Sequence, residues 1–256
     1  MPNWITNRII ADDMDALKKA LLDKDGNVDF NKVIPVNEDL SIECGTYTIS
    51  AIKRYGTDTT EAEKLLKRCY SGRYTQEKFV DTVLFNIDTL HVLYDLLKIK
   101  HDEAEDRKNV VNIIKSYYNI RKYGYETWYE ANKALWGTKW NAHETYVGNN
   151  EIVFETAWSM PFNVFQKLSE ITPLTVAYAD EDLGANYGII EFKNGTPTSE
   201  YALETDELAA NIGMACAIKD EHPNDCLYEQ EDEFMEIANT AYKETTEVLQ
   251  ELGFIG

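Results

Sequence analysis

The chain is short of positive charge, of cysteine and of long apolar runs, and each shortage excludes a class of protein. Among its 256 residues, 25 Lys and Arg stand against 45 Asp and Glu, which gives a formal net charge of −20. This deficit argues against non-specific binding to nucleic-acid phosphates, which requires clustered basic side chains. No run of about 18 apolar residues occurs, so we expect no membrane span. Met1–Trp4 begin a folded pattern rather than a secretion signal, and we predict a soluble cytoplasmic protein.

Residues that could carry metal or covalent chemistry are few and scattered. No two of the four cysteines form a Cys-x-x-Cys pair, so we expect reduced thiols at Cys44, Cys69, Cys216 and Cys226. His222–Cys226 offers three potential ligands, fewer than a structural zinc site needs, and His143 is isolated along the chain. No phosphate loop, nucleophile elbow or His-Glu-x-x-His motif occurs. We therefore predict no metal, no cofactor and no identifiable catalytic residue.

The negative charge is concentrated near the C-terminal end of the sequence. Residues 1–140 hold 22 acids and 21 bases, whereas residues 199–256 hold 15 acids and 2 bases. Two interpretations remain open: a solvated face that aids solubility, or a docking surface for a basic partner. The acidic candidates bunch around one predicted helix start, and they are Glu229, Glu231, Asp232, Glu233 and Glu236.

The order of predicted elements indicates an α+β fold. Period-two patterns and turn signals, including Asn194-Gly195, predict strands at 3–11, 143–147, 151–157, 174–179, 187–193 and 197–201. Helical periodicity predicts helices after Asp12-Asp13 and after Pro161, several within 38–134, and two more at about 206–218 and 232–252. The first elements follow the split βαβ order, so we predict a ferredoxin-like antiparallel sheet with a large helical insertion and C-terminal helices.

These patterns divide the chain into three parts. We predict a discontinuous ferredoxin-like domain at residues 1–37 and 135–204. A helical insertion occupies residues 38–134, and an acidic helical extension occupies residues 205–256.

Three short motifs resemble those of one known family. They are the Met-Pro-Asn-Trp start at 1–4, the Trp-Gly-Thr-Lys-Trp block at 136–140, and Phe-Glu-Thr-Ala-Trp-Ser-Met-Pro at 154–161. Together they resemble the YubB/Api92-like (DUF1281) family of plasmid and phage proteins. The resemblance implies a ferredoxin-like domain, carriage on mobile elements and no agreed activity. Ile5 stands where the family usually has cysteine, and the insertion and acidic extension look peculiar to this member.

The tryptophan block at 136–140 has two interpretations. Indoles bury large areas and often bond a neighbour through N–H, which favours a structural cluster with Trp4 and Trp158. Alternatively the block forms a recognition surface of aromatic rings and one cation. The candidate residues are Trp136, Thr138, Lys139 and Trp140.

The function expected from these observations is non-catalytic. We predict a phage or mobile-element accessory protein that binds, and inhibits, a host protein with a basic surface, such as a defence nuclease or sensor. One alternative is an enzyme acting on a nucleotide or small molecule in a cleft between sheet and insertion, with candidates Glu155, Thr138, Lys139 and Asn186. Another is a nucleic-acid binder that uses the sheet aromatics and the basic cluster Lys64, Lys67, Arg68 and Arg73.

Overall fold

The chain divides into two compact units. The computed structural model describes residues 2–42, 112, 115, 116, 118–201, 207–227 and 230–254. Residues 1–35 and 132–256 form the first unit, here called the sheet unit, and residues 36–131 form the second. The sheet unit carries 29 acids and 11 Lys and Arg, a net charge of −18, so nearly all of the excess negative charge belongs to it.

A six-stranded sheet forms the centre of the sheet unit. Its strands are β1 (Trp4–Ala11), β2 (His143–Val147), β3 (Ile152–Ala157), β4 (Leu174–Asp180), β5 (Tyr187–Lys193) and β6 (Thr196–Tyr201). The spatial order is β2-β3-β1-β4-β5-β6, and every neighbouring pair is antiparallel. The first four strands have the split βαβ arrangement, with β1 between β3 and β4, and the β5–β6 hairpin extends the sheet beyond β4. The predicted α+β, ferredoxin-like fold class is confirmed.

Six α-helices have both ends assigned among the described residues, and residues 118–123 are helical as well. The six helices are α1 (Met14–Leu21), α2 (Trp128–Leu135), α3 (Phe162–Leu168), α4 (Leu208–Lys219), α5 (Pro223–Cys226) and α6 (Asp232–Leu252). Helix α1 starts where it was predicted, because Asp13 caps it. The Asp13 side chain accepts a hydrogen bond from the Ala16 N–H at 2.9 Å. None of these helices has both the length and the apolar character needed to cross a bilayer.

One face of the sheet is covered by a core rich in phenylalanine. Phe154 of β3 contacts Phe30 and Phe165, with ring centroids 5.8 and 6.3 Å apart. Phe192 of β5 contacts both Phe162 and Phe165 of α3 at 5.3 and 6.1 Å. These edge-on and tilted contacts are the favoured geometries of aromatic pairs, so they fix α3 against the sheet.

The C-terminal helices cover part of the opposite face. Ala177, Ala179, Tyr187 and Ile189 of β4 and β5 pack in one buried cluster with residues of α4 and with Leu249 of α6. Residues 207–254 of the predicted acidic extension therefore lie in the same compact unit as the sheet. The arrangement is a sheet between two helical layers.

Helices α4 and α6 approach each other unusually closely at Gly213. A Cβ atom placed on Gly213 would lie 2.1 Å from the carbonyl oxygen of Ala238. The buried stripe of α6 consists of small and medium side chains, namely Ala238, Ala241, Thr245 and Leu249. Small residues on both helices therefore set the short distance between the two backbones.

In the second unit, the described contacts gather around Asp39. The Tyr123 hydroxyl donates to Asp39 Oδ2 at 2.5 Å, and Lys122 Nζ lies 3.3 Å from the same oxygen. The hydrogen bonds with Tyr123, Tyr118 and Asp39 raise the pKa of Lys122. The helices predicted within 43–111, and the basic cluster at 64–73, lie outside the described residues.

Candidate functional site

The most extended charged feature of the sheet unit is a stripe of glutamates along α6. Residues three or four apart share a face of a helix, and five exposed acids share one face of α6, with Thr240 between the second and the third. This acidic stripe consists of Glu233, Glu236, Glu244, Glu247 and Glu251. At 1.5 Å per residue it spans about 27 Å. The opposite side of α6 is the buried stripe, so the helix presents its charge outward.

Four of the five acids predicted as a docking surface lie at the exposed start of this helix. Glu231, Asp232, Glu233 and Glu236 are all exposed, whereas Glu229 lies outside the described residues. Asp232 and Glu233 occupy the first turn, where negative charge interacts favourably with the helix dipole. Helix-dipole stabilisation does not extend to the end of α6, where Glu247 and Glu251 lie.

The stripe is electrostatically unfavourable for the isolated helix. Like charges three or four residues apart destabilise a helix by about 0.2–0.5 kcal/mol per pair. Glu233 with Glu236, Glu244 with Glu247, and Glu247 with Glu251 are such pairs. None of the five forms an ion pair with a residue that the structure describes. A basic partner would remove this repulsion.

A cleft of about 560 Å³ lies beside the stripe, between α5 and α6. Its wall includes Glu247, Asn239, Tyr242, His222 and Lys243. The Asn239 Oδ1 atom is buried and has no hydrogen-bond partner among the described residues. The cleft wall carries both the carboxylate of Glu247 and the ammonium group of Lys243, so it has no preference for a guest of one charge.

The two halves of the tryptophan block differ in the structure. Trp136 and Thr138 are buried, whereas Lys139 and Trp140 are only partly buried. Trp136 is 3% exposed, and its indole N–H donates to the Ile34 carbonyl at 2.8 Å. Thr138 is 1% exposed and donates to the Ala157 carbonyl at 2.8 Å. These two side chains tie the 136–140 loop to the sheet unit. The recognition interpretation therefore does not hold for Trp136 and Thr138 in this conformation, because a partner cannot reach them.

The other half of the block is only partly buried. Lys139 Nζ lies 4.4 Å from the centroid of the Trp140 ring, a cation–π geometry. Trp140 in turn lies 6.1 Å from Trp4 at the start of β1. Trp158, which is 52% exposed, adopts a left-handed φ of 71° directly after β3. Aromatic side chains thus remain accessible at this end of the sheet.

A group of polar side chains lies beside these aromatics on β2 and β3. His143 pairs with Glu155 across the two strands, and the His143 Nδ1 atom lies 3.4 Å from Glu155 Oε2. The imidazole stacks on Trp4, with centroids 4.7 Å apart and planes 20° from parallel. Glu144 completes the group, because one donor atom from each of the three residues lies within 4.8 Å of the others. The sequence did not suggest this group, since residues 143 and 155 meet only through strand pairing.

The other residues named for an enzymatic site have separate partners. The Asn186 amide donates to Asp180 Oδ2 at 3.2 Å in the loop between β4 and β5. Thr138 is buried against Ala157, and Lys139 lies over Trp140. Of the four enzymatic candidates, only Glu155 belongs to a cluster of ionisable groups.

Two cysteines of the sheet unit lie close enough to interact. Burial raises the pKa of Cys216 to about 12, and the neighbouring thiol of Cys226 adds to this effect. Burial likewise raises the pKa of Cys226, whose thiol lies 3.5 Å from a carboxylate oxygen of Glu221. Both groups are therefore thiols rather than thiolates at neutral pH, and neither has the lowered pKa of a nucleophilic cysteine.

Comparison with known proteins identifies the sheet unit. No match was found among curated proteins, and none was found among solved structures. Residues 135–246 match the model of a family described as the ferredoxin-like domain in Api92-like protein. The match runs through α4 and into α6, so the C-terminal helices are not peculiar to this chain, contrary to expectation. Together with the sheet topology, this match identifies residues 135–246 as a ferredoxin-like domain of the DUF1281/Api92-like type.

Proposed function

We propose that this protein is a non-catalytic binding protein that captures a partner with a basic surface through the acidic stripe of α6. The partner class that fits best is a host protein that handles nucleic acid, such as a defence nuclease or sensor, in a cell that carries the element encoding this chain. The observation that carries the proposal is the exposed line of glutamates, which is held outward and unneutralised by described residues over about 27 Å.

The charge of the whole sheet unit supports this proposal. A net charge of −18 on one unit attracts a basic protein over long range and accelerates encounter. Rim charges act chiefly on the association rate, so we expect capture to weaken steeply as salt is added.

The test compares two variants of the tagged chain that carry the same change in net charge. The stripe variant carries Glu236→Gln, Glu244→Gln, Glu247→Gln and Glu251→Gln. The control variant carries Asp12→Asn, Asp25→Asn, Glu181→Gln and Asp182→Asn, which are exposed acids elsewhere in the sheet unit. Each is used to isolate proteins from the host cell at low and moderate salt. We expect a basic protein that the native chain and the control variant retain and that the stripe variant loses.

A third variant, with Glu231→Gln, Asp232→Asn, Glu233→Gln and Glu236→Gln, tests the start of the helix separately. Equal loss of the partner by the stripe and control variants would mean that only net charge matters, and the proposed docking face would then be wrong. Retention of every partner by all variants would exclude acidic docking altogether. Once a partner is isolated, its nuclease or signalling activity with and without the native chain tests whether binding inhibits it.

A further inference from the structure

A second site, independent of the acidic stripe, lies on β2 and β3. His143, Glu144 and Glu155 bring an imidazole nitrogen and two carboxylate oxygens within 4.8 Å of one another. We propose that these three residues bind a divalent transition-metal ion of the Zn²⁺ class. The proposal does not depend on partner binding, because the acidic stripe shares no residue with this group.

The backbone of β2 brings two consecutive side chains together. Successive side chains of a regular strand point to opposite faces, so His143 and Glu144 would normally diverge. The pairing of β2 with β3 shifts its register between His143 and Tyr146, and Glu144 adopts a left-handed φ of 45°. That conformation is uncommon for a residue other than glycine. This irregularity places the Glu144 carboxylate near the His143 imidazole, so that both can bind one metal ion. In a regular strand the two side chains would lie on opposite faces and could not.

The distances suit a small coordination sphere. Ligands bound at about 2.0–2.1 Å in tetrahedral geometry stand about 3.4 Å from one another. His143 Nδ1 and Glu155 Oε2 are already 3.4 Å apart. The Glu144 side chain is exposed, so it can complete the set by rotation alone. Three protein ligands leave a fourth position for water or for a ligand atom from elsewhere.

The donor set selects the class of metal. One imidazole with two carboxylates suits Zn²⁺, Co²⁺, Ni²⁺ and related ions. Mg²⁺ and Ca²⁺ prefer oxygen ligands alone and in larger number, so a site with an imidazole nitrogen disfavours them. The side chains of His143 and Glu155 are 52% and 30% exposed, which gives an ion direct access from solvent.

Trp4 orients the imidazole and provides a spectroscopic reporter. Its ring stacks on His143 at 4.7 Å between centroids, which restricts rotation of the imidazole plane. An ion bound to His143 would therefore lie close to the Trp4 indole. Ni²⁺ and Cu²⁺ quench the fluorescence of a nearby indole, whereas Zn²⁺ leaves it largely unaltered.

The experiment titrates the full chain, freed of metal, with Zn²⁺ and with Mg²⁺ by calorimetry and with Ni²⁺ by tryptophan fluorescence. We expect saturable 1:1 binding of Zn²⁺ and Ni²⁺, and no binding of Mg²⁺ in the same concentration range. His143→Ala, Glu144→Gln and Glu155→Gln should each weaken Zn²⁺ binding about tenfold or more, since even the outer partners of a metal ligand contribute 10–100-fold. Trp4→Phe should keep the Zn²⁺ affinity and reduce the quenching by Ni²⁺, while Trp140, which lies 6.1 Å from Trp4, accounts for the quenching that is left.

The matched control is the double variant Glu221→Gln, His222→Ala, which removes an exposed acid and an exposed histidine elsewhere in the sheet unit. It should bind Zn²⁺ as the native chain does. Circular dichroism of each variant verifies that the fold is retained. Absence of saturable Zn²⁺ binding, or affinity that is unchanged in His143→Ala, would overturn the proposal. A loss of affinity in the control variant alone would place the metal at the start of α5 and would overturn it as well.

Discussion

The buried Arg8 of β1 forms an ion pair with the partly exposed Glu151, its guanidinium 2.9 Å from the Glu151 carboxylate. The same guanidinium donates to the carbonyl oxygens of Ile218 and Phe254, at 3.4 and 3.2 Å. Ile218 lies in the last turn of α4, and Phe254 follows the end of α6, where free carbonyls and the helix dipole favour a cation. One side chain thus connects the first strand to both C-terminal helices.

We expect Arg8→Met to destabilise the sheet unit by about 1–3 kcal/mol, because the carbonyls of Ile218 and Phe254 lose their donor and the partly exposed Glu151 loses its cation. The double variant Arg8→Met, Glu151→Gln should recover part of this loss, since it removes both charges. Urea unfolding followed by far-ultraviolet circular dichroism measures both values. Losses that simply add in the double variant would show that the two side chains do not interact.

The two halves of the tryptophan block should respond differently to substitution. Trp136→Phe removes the hydrogen bond to the Ile34 carbonyl and shortens a buried ring, and we expect a loss of about 1–3 kcal/mol in the free energy of unfolding. Trp140→Phe keeps an aromatic ring at a partly exposed position and should change stability by about 0.5 kcal/mol or less. The same urea titration measures both. A larger effect at Trp140 than at Trp136 would contradict the structural role assigned to Trp136.

Gly213→Ala provides a test in which two physical effects have opposite signs. Helix propensity alone would make the alanine variant more stable by about 0.8–1.0 kcal/mol. The new Cβ, however, would lie 2.1 Å from the backbone carbonyl of Ala238, which cannot rotate away as a side chain can. Overpacking of this kind costs about 1–3 kcal/mol, so we expect a lower melting temperature. A higher melting temperature would show that α4 and α6 separate easily.

The reactivity of the two interacting thiols should be unequal. Cys216 is fully buried, and its raised pKa keeps it protonated, whereas Cys226 is partly exposed. We expect iodoacetamide at pH 8 to modify Cys226 in the folded chain and to spare Cys216 until urea is added. Mass spectrometry of the digested protein distinguishes the sites. Equal labelling of both in the folded chain would contradict the packing of α4.

The raised pKa of Cys216 also has a consequence for stability at high pH. An ordinary thiol loses its proton near pH 9.0, whereas Cys216 in the folded chain keeps it until about pH 12. Between these values the unfolded chain binds fewer protons than the folded chain, so stability falls as pH rises. Below pH 9 the contribution is constant. Cys216→Ala should show a shallower loss of stability above pH 9 than the native chain, as measured by urea unfolding across that range.

Local signals predicted most of the secondary structure. Asn194-Gly195 predicted the β5–β6 hairpin, and the periodicity of 232–252 predicted α6 with the bounds that the structure has. The order of these elements was sufficient to predict the split βαβ sheet. Turn residues and helical periodicity depend on residues that are close together in the sequence, so they can be recognised from a single sequence.

Features that depend on distant partners could not be predicted. The acceptor of the Trp136 indole is 102 residues away, so sequence left its burial open. His143 looked isolated because its neighbour Glu155 is reached only through the β2–β3 pairing. The acidic candidates were predicted as a run of residues near 231. In the structure, α6 instead aligns acids on one face along most of its length, from Glu233 to Glu251. The helices α4 and α6 were likewise predicted to form a separate extension, because their acidic composition differs from that of the sheet. In the structure they pack directly against the sheet.

The contacts of Arg8 also set an order of events for folding. Its partners lie 143, 210 and 246 residues further along the chain. During synthesis, β1 is complete while none of these groups exists, so its cation must stay in water. The last of its three partners, the Phe254 carbonyl, does not exist until residue 254 has been made. The full set of Arg8 contacts therefore forms only after synthesis has passed that point, and a chain interrupted before it lacks one acceptor for this buried cation.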